Sequence, residues 1–154
     1  MPLTFNGTDK TNLGEQTMTE TDMKTRKYSC EFSSEQLRTI IYALDLFSRI
    51  KMGQIEEVAH IANCHDYKSR YELEESLKEL KHLLGLKRHA HLGIYHEDCG
   101  IEAHRAWDIQ QTLRRYQAWD ECPQGGCTVD FDPVLPALKE ALPTIKRVDE
   151  TDPV

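Results

Sequence analysis

Hydrophobic side chains recur at helical spacing over residues 33–62. The apolar positions of the first run are Leu37, Ile40, Ile41, Leu44, Phe47 and Ile50. Gly53 interrupts this run, and the same spacing then resumes at Ile55, Val58, Ala59 and Ala62. The pattern predicts a long helix that Ser33 or Ser34 caps, a break near Met52 and Gly53, and a second helix.

Two further helices are predicted on either side of a long polar loop over residues 86–99. Residues 68–84 carry an apolar stripe opposite charged side chains, formed by Leu73, Leu77, Leu80 and Leu84. Gly85 follows directly and is a plausible glycine at the end of that helix. Residues 100–120 carry apolar positions at i, i+3, i+7 and i+10, namely Ala106, Ile109, Leu113 and Tyr116.

The two ends of the chain have a different character. Residues 127–132, "CTVDFD", alternate with period two and predict one short strand, whose partner would be residues 92–95, residues 145–148 or another subunit. Residues 1–29 hold few large apolar side chains and are predicted to be a disordered tail. We therefore expect a mainly α fold over residues 30–150, with about four helices in a small bundle-like domain and one strand or hairpin near the C-terminus.

The formal net charge of −7 argues against nucleic acid as a partner, because such binding depends on Lys and Arg neutralising phosphates. The sequence has neither an apolar run of about 20 residues nor a secretory signal, so we expect no membrane association. The five cysteines have no framework spacing and are interpreted as reduced thiols, which predicts a cytoplasmic protein.

Nine Cys and His residues are candidate metal ligands: Cys64, His65, His89, His91, His96, Cys99, His104, Cys122 and Cys127. Zinc sites favour tightly spaced pairs, and the best pairs here are His96 with Cys99 and Cys122 with Cys127. These pairs lie at opposite ends of a predicted helix of about 20 residues, which is roughly 30 Å long. We therefore predict no metal site and no cofactor.

The stretch "DECPQGGCTVDFDP" allows several interpretations. Asp130 and Asp132 would share one face of a strand and could hold Mg²⁺, but exposed acids flanking a buried Phe131 explain the pattern equally well. Gly125 and Gly126 form either a tight turn or a place where the backbone approaches a ligand. Both pairs of alternatives remain open from the residues alone.

Basic and aromatic side chains also occur together on the last predicted helix. Arg115 and Trp107 would suit a phosphate and a nucleobase, because arginine binds phosphate and aromatic rings stack on bases. Trp107 and Trp119 are equally typical of a core or an interface. On the first helix, Asp45 and Arg49 form an i, i+4 pair of opposite charge that either belongs to a buried network or faces a ligand.

Residues 34–133 resemble a family of small proteins encoded by tailed bacteriophages and prophages. The resemblance rests on "LDLFSRIKMGQ" and on "AWDECPQGGCTVDFDP". The positions that fit the family pattern are Asp45, Arg49, Gly53, Gln54, Asp108, Gln111, Trp119, Asp120, Gly125, Gly126, Asp130 and Asp132. Lys51 departs from the pattern, where a glycine is usual, and Cys122 and Cys127 look particular to this chain.

The resemblance implies a phage protein acting in the host cytoplasm. For such a protein we expect a non-enzymatic role in counter-defence, in which a homo-oligomer (a dimer or larger) sequesters a nucleotide-derived immune signal. The alternatives are a direct inhibitor of a host defence protein or nucleic-acid enzyme, and a metal-dependent hydrolase using Asp130 and Asp132. The predicted ligand-binding residues are Arg49, Gln54, Trp107, Gln111, Arg115, Gly125, Gly126 and Asp130.

Overall fold

The first helix, α1 (Ser34–Lys51), begins at a complete capping box. The Ser33 hydroxyl accepts a hydrogen bond from the backbone N–H of Gln36, and the Gln36 side chain accepts one from the N–H of Ser33 at 2.8 Å. The helix ends at Lys51, Met52 is its C-cap, and Gly53 follows with φ of 83°. This left-handed conformation favours glycine, so the predicted break is confirmed.

The computed structural model describes residues 27–148, which are mainly helical as predicted. Residues 32–148 belong to one compact unit and residues 27–31 to the preceding one. The remaining helices are α2 (Val58–Ile61), α3 (Tyr67–Leu80) and α4 (Ile101–Glu121), with a 3₁₀ turn before α2 (Ile55–Glu57) and another after α3 (Lys81–Leu84). The predicted tail lies outside the described residues except for residues 27–29.

The two long helices α1 and α4 pack against each other in antiparallel orientation. Near the C-terminal end of α1, the Ser48 hydroxyl donates to the backbone oxygens of Leu44 at 2.9 Å and of Ala103 at 3.3 Å. At the other end of the pair, Arg38 forms a 2.8 Å ion pair with Glu121. The small side chains of Ser48 and Ala103 are fully buried and allow the two helices to approach closely.

The hydrophobic core lies where the end of α1 meets the start of α4. It contains Met52, Ile94, Cys99 and Ala103, and the partly buried Leu92, Trp107 and Ala137 pack against it. The backbone oxygen of Met52 accepts a 2.8 Å hydrogen bond from Leu92, which fixes the polar loop against the helix break. Burial raises the pKa of the Cys99 thiol, so this cysteine is a core side chain rather than a reactive one.

An ion pair with a buried lysine joins the 3₁₀ turn before α2 to the 3₁₀ turn after α3. The Lys81 side chain is 1% exposed, and its ammonium group donates to Glu56 at 2.6 Å and to the backbone oxygen of Ala90 at 3.2 Å. Gly85 has φ of 71° and ends the turn after α3, as predicted. The second carboxylate oxygen of Glu56 is buried without a hydrogen-bond partner, so this pair is sensitive to any change in its lysine.

The prediction of a strand over residues 127–132 is wrong, because this segment contains a 3₁₀ turn. Residues Val129–Phe131 form a 3₁₀ turn, in which Phe131 and Asp132 donate to the backbone oxygens of residues three earlier. The turn places the Phe131 ring against Trp119, with centroids 5.5 Å apart in a T-shaped arrangement. The alternating pattern therefore reflects one aromatic side chain folding back onto α4, and residues 27–148 contain no strand.

After this turn the chain continues as an arm, residues 133–148, without regular secondary structure. The arm lies along α4 and returns as far as the core, where Ala137 packs. Within residues 27–148, none of the helices has the length and apolar character needed to cross a membrane.

Candidate functional site

A single buried carboxylate holds the arm to the middle of α4. Asp108 is 5% exposed, and its two oxygens accept hydrogen bonds from the backbone N–H groups of Ala137 at 2.6 Å and Leu138 at 3.0 Å. Each oxygen has its own donor, so the carboxylate acts as a two-point clamp on the arm. The clamp satisfies a buried negative charge that would otherwise be costly in the middle of a helix.

A second contact holds the arm from the solvent side. The Arg105 guanidinium forms two hydrogen bonds to the Glu140 carboxylate, at 2.9 and 2.6 Å. These bonds hold the pKa of Glu140 below its usual value. Both side chains are about half exposed, so this contact contributes less than the buried clamp.

An open groove lies between α4 and the arm. Its lining residues are Thr112, Arg115, Tyr116, Pro133, Val134, Leu142, Pro143 and Ile145. The groove encloses about 480 Å³, within the range of small-molecule sites, and most of its wall is apolar. A second cleft of about 30 Å³ lies beside Asp108 at the base of the arm and is large enough only for water.

The charged group in the groove lining is the guanidinium of Arg115. Its Nε is buried and lacks a hydrogen-bond partner, and within residues 27–148 the side chain makes neither an ion pair nor a hydrogen bond. The guanidinium instead makes a cation–π contact with the Trp119 ring, whose centroid lies 5.9 Å from the guanidinium carbon. The groove thus offers a charged donor that contacts an aromatic ring and has no acceptor among the described residues.

Next to Arg115, the Gly-Gly turn packs on two aromatic rings. We call Trp119, Phe131, Gly125 and Gly126 the aromatic clasp. Gly125 has φ of 81°, and a β-carbon there would lie 3.3 Å from the Trp119 ring, while a β-carbon at Gly126 would enter the Phe131 ring. The Trp119 indole donates a 3.3 Å hydrogen bond to the backbone oxygen of Phe131. The clasp therefore positions the tryptophan that supports Arg115.

Asp130 lies beside the clasp and is neutralised by Arg114. Its Oδ1 is 2.9 Å from the Arg114 Nε, although the N–H does not point along a hydrogen bond, and its Oδ2 accepts from the Thr128 hydroxyl at 3.1 Å. Asp132 is exposed. Among residues 27–148, no group of three or more His, Cys, Asp or Glu side chains is arranged to hold a metal ion.

The polar residues at the end of α1 form a network of their own. The Arg49 Nε donates to Asp45 at 2.7 Å, one Nη donates to Gln54 at 3.1 Å, and the same Nη lies 3.6 Å from Glu57. The hydrogen bond that Arg49 donates to Asp45 is the largest influence that raises the pKa of Arg49. Two carboxylates already surround this guanidinium, which favours the network interpretation of Arg49 and Gln54 over contact with a phosphate.

The predicted ligand-binding residues therefore fall into separate places. Arg49 and Gln54 lie near the start of α4, because the neighbouring Ser48 contacts Ala103. Arg115 lies 12 residues after Ala103 on that helix, a distance of roughly 18 Å. Trp107 packs on the core, and Gln111 bonds to the side chains of Gln110 at 2.7 Å and Arg114 at 2.5 Å. The residues that come together are Arg115, Gly125, Gly126 and Asp130.

Sequence reasoning did not assign a site role to the clamp or to the arm side of the groove. Asp108 carries only a weak signal, because a carboxylate in the middle of a helix can also pair with a basic side chain one turn away, and Arg105 lies three residues before it. The arm residues Leu142, Pro143 and Ile145 carry no signal, because their place in the groove depends on a long-range fold-back.

Comparison with protein-family models, with functionally described proteins and with solved structures finds no match to this chain.

Proposed function

We propose that this protein is a binding protein that sequesters a nucleotide-like anion in the groove between α4 and the arm, and that it acts without chemistry. The observation that carries this proposal is the Arg115 guanidinium, which lines a groove of about 480 Å³ and has no acceptor among residues 27–148. A guanidinium that lacks a partner is suited to bind a phosphate oxygen. The apolar wall and the Tyr116 ring are suited to cover a base.

A binding role fits the groove better than hydrolysis. The metal-dependent alternative requires Asp130 and Asp132 to be available to a cation, but Asp130 faces Arg114 at 2.9 Å. A cation at that position would compete with a fixed positive charge. Among the residues that the structure describes, the groove lining has one charged side chain, Arg115, which suits the binding of an anion.

The biological setting of the proposal comes from the resemblance to phage proteins. A phage protein that binds a nucleotide-derived signal in the host cytoplasm would lower the free concentration of that signal and so act in counter-defence. Sequestration requires no turnover. It requires a Kd below the concentration of the signal and more binding sites than signal molecules.

The test is a thermal-shift panel of cyclic and linear nucleotides, measured with and without Mg²⁺ and Zn²⁺. The proposal predicts a concentration-dependent rise in Tm for at least one nucleotide, independent of metal, and recovery of that nucleotide unchanged. Arg115→Ala should abolish the shift, while Arg70→Ala, which removes the same charge from α3 outside the groove, should retain it. A nucleotide consumed only when metal is present would contradict the proposal.

A second candidate, direct inhibition of a host defence protein, is favoured by exposed leucines at the end of α3 and in the turn that follows it. Leu80, Leu83 and Leu84 are exposed by 46%, 72% and 53%. Such side chains are typical of a protein contact, and a homo-oligomer, which we also propose, would use them between copies of this chain. Light scattering of the wild type and of Leu83→Glu distinguishes the two. An oligomer that Leu83→Glu dissociates supports self-assembly, whereas a 17.8 kDa wild-type monomer leaves the leucines for a host protein.

A further inference from the structure

The charge balance of the groove limits the kind of phosphate it can hold. Within residues 27–148, Arg115 is the one Lys or Arg side chain in the lining, and no Asp or Glu of this part of the chain accompanies it. The adjacent Arg114 does not add a second charge, because Asp130 lies 2.9 Å from its Nε. The groove therefore presents a net charge of about one, through a guanidinium that can bind two oxygens of the same phosphate.

The uncharged part of the lining does not balance further negative charge. Thr112 and Tyr116 carry hydroxyl groups, of which that of Thr112 already donates to the backbone oxygen of Asp108 at 2.8 Å, and Pro133, Val134, Leu142, Pro143 and Ile145 are apolar. A second phosphate, or the second charge of a phosphomonoester, would be removed from water against these side chains without a cation to balance it. The chain as a whole has a formal net charge of −7, which adds long-range repulsion for a multiply charged anion.

We infer that the ligand presents a phosphodiester to this groove, with one negative charge at Arg115 and an apolar or aromatic body against the arm. A 3′,5′-cyclic mononucleotide has this chemistry, whereas 5′-monophosphates and polyphosphates carry more charge than the groove balances. The inference rests on the proposed function and narrows its ligand class. It also assigns Arg115 as the residue that selects for charge.

The experiment is isothermal titration with one base and a graded charge: adenosine, 3′,5′-cyclic AMP, 5′-AMP and ATP, at constant ionic strength and without divalent metal. Cyclic AMP is expected to bind at least tenfold more tightly than adenosine, 5′-AMP no more tightly than cyclic AMP, and ATP at least tenfold more weakly. The same series with guanosine compounds repeats the ranking on a second base.

Two controls separate the failure of the inference from the failure of the proposed function. Arg115→Ala should reduce cyclic AMP binding to the level of adenosine, and Arg70→Ala should leave the ranking unchanged. Affinity that rises with phosphate number and depends on Arg115 would overturn the phosphodiester inference and leave nucleotide sequestration intact. The absence of binding by every nucleotide in both series, with the protein folded, would overturn both.

Discussion

The clamp formed by Asp108 gives the sharpest mechanical prediction, because its buried carboxylate holds the arm, which forms the outer wall of the groove, against the middle of α4. Asp108→Ala removes two hydrogen bonds to a buried carboxylate. Each such bond contributes about 1.5–3 kcal/mol. If the two backbone N–H groups stayed buried, the loss would be about 3–6 kcal/mol. The arm can instead leave α4 and hydrate them, so the lower end, about 3 kcal/mol, is expected.

Amide hydrogen exchange and urea denaturation measure this effect separately. In Asp108→Ala the amides of Ala137 and Leu138 should exchange about 100-fold faster, since each 1.4 kcal/mol is a factor of ten. Asp108→Asn keeps the shape of the side chain but turns its NH₂ group toward one of the two backbone N–H groups. Its loss in the free energy of unfolding should therefore be at least half that of Asp108→Ala.

Glu140→Gln is the matched control, because it weakens the second, exposed contact of the arm. It should cost at most about 1 kcal/mol and change the two amides little. The reasoning would be refuted if the amides of residues 137 and 138 kept their protection in Asp108→Ala, or if the stability changed by less than about 0.5 kcal/mol.

Three further predictions test other parts of the structure. Lys81→Met leaves Glu56 buried and unpaired and should cost about 3–5 kcal/mol in urea denaturation, with Glu56→Gln in the same chain recovering part of the loss; equal stability of the single variant and the wild type would contradict the buried pair. Gly126→Ala pushes a methyl group into Phe131 and should cost about 1–3 kcal/mol and alter tryptophan fluorescence, while Gly93→Ala, which has open space, should leave the fluorescence unchanged. Arg49→Ala should cost about 1 kcal/mol, since its pair with Asp45 is partly exposed, and should retain nucleotide binding; a folded variant that no longer binds would return Arg49 to the ligand site.

The helices could be predicted from the sequence because their determinants are local. Apolar spacing placed α1 and α4, and Gly53 and Gly85 marked the places where helical structure stops. The prediction of a strand at residues 127–132 is wrong. Phe131 is apolar between polar neighbours because its ring packs on Trp119, and this contact requires no strand.

The candidate site was only partly predictable, because long-range contacts create it. Arg115 and the Gly-Gly turn stood out as residue types, and the structure brings them together around Trp119. The groove requires residues 133–148 to fold back along α4, and the contact that decides this joins Asp108 to backbone groups 29 and 30 residues later. Backbone N–H groups are present at every position other than proline, so no sequence pattern marks these two as the partners.

The measurement that tests the central claim most directly is an NMR titration of the full chain with 3′,5′-cyclic AMP, following backbone amides and the arginine Nε–H signals. The account predicts saturable shifts at the Arg115 Nε–H and at amides of Thr112, Tyr116, Leu142 and Ile145, with the nucleotide recovered intact. Saturable shifts confined to the Arg49 network, or conversion of the nucleotide during the titration, would contradict it.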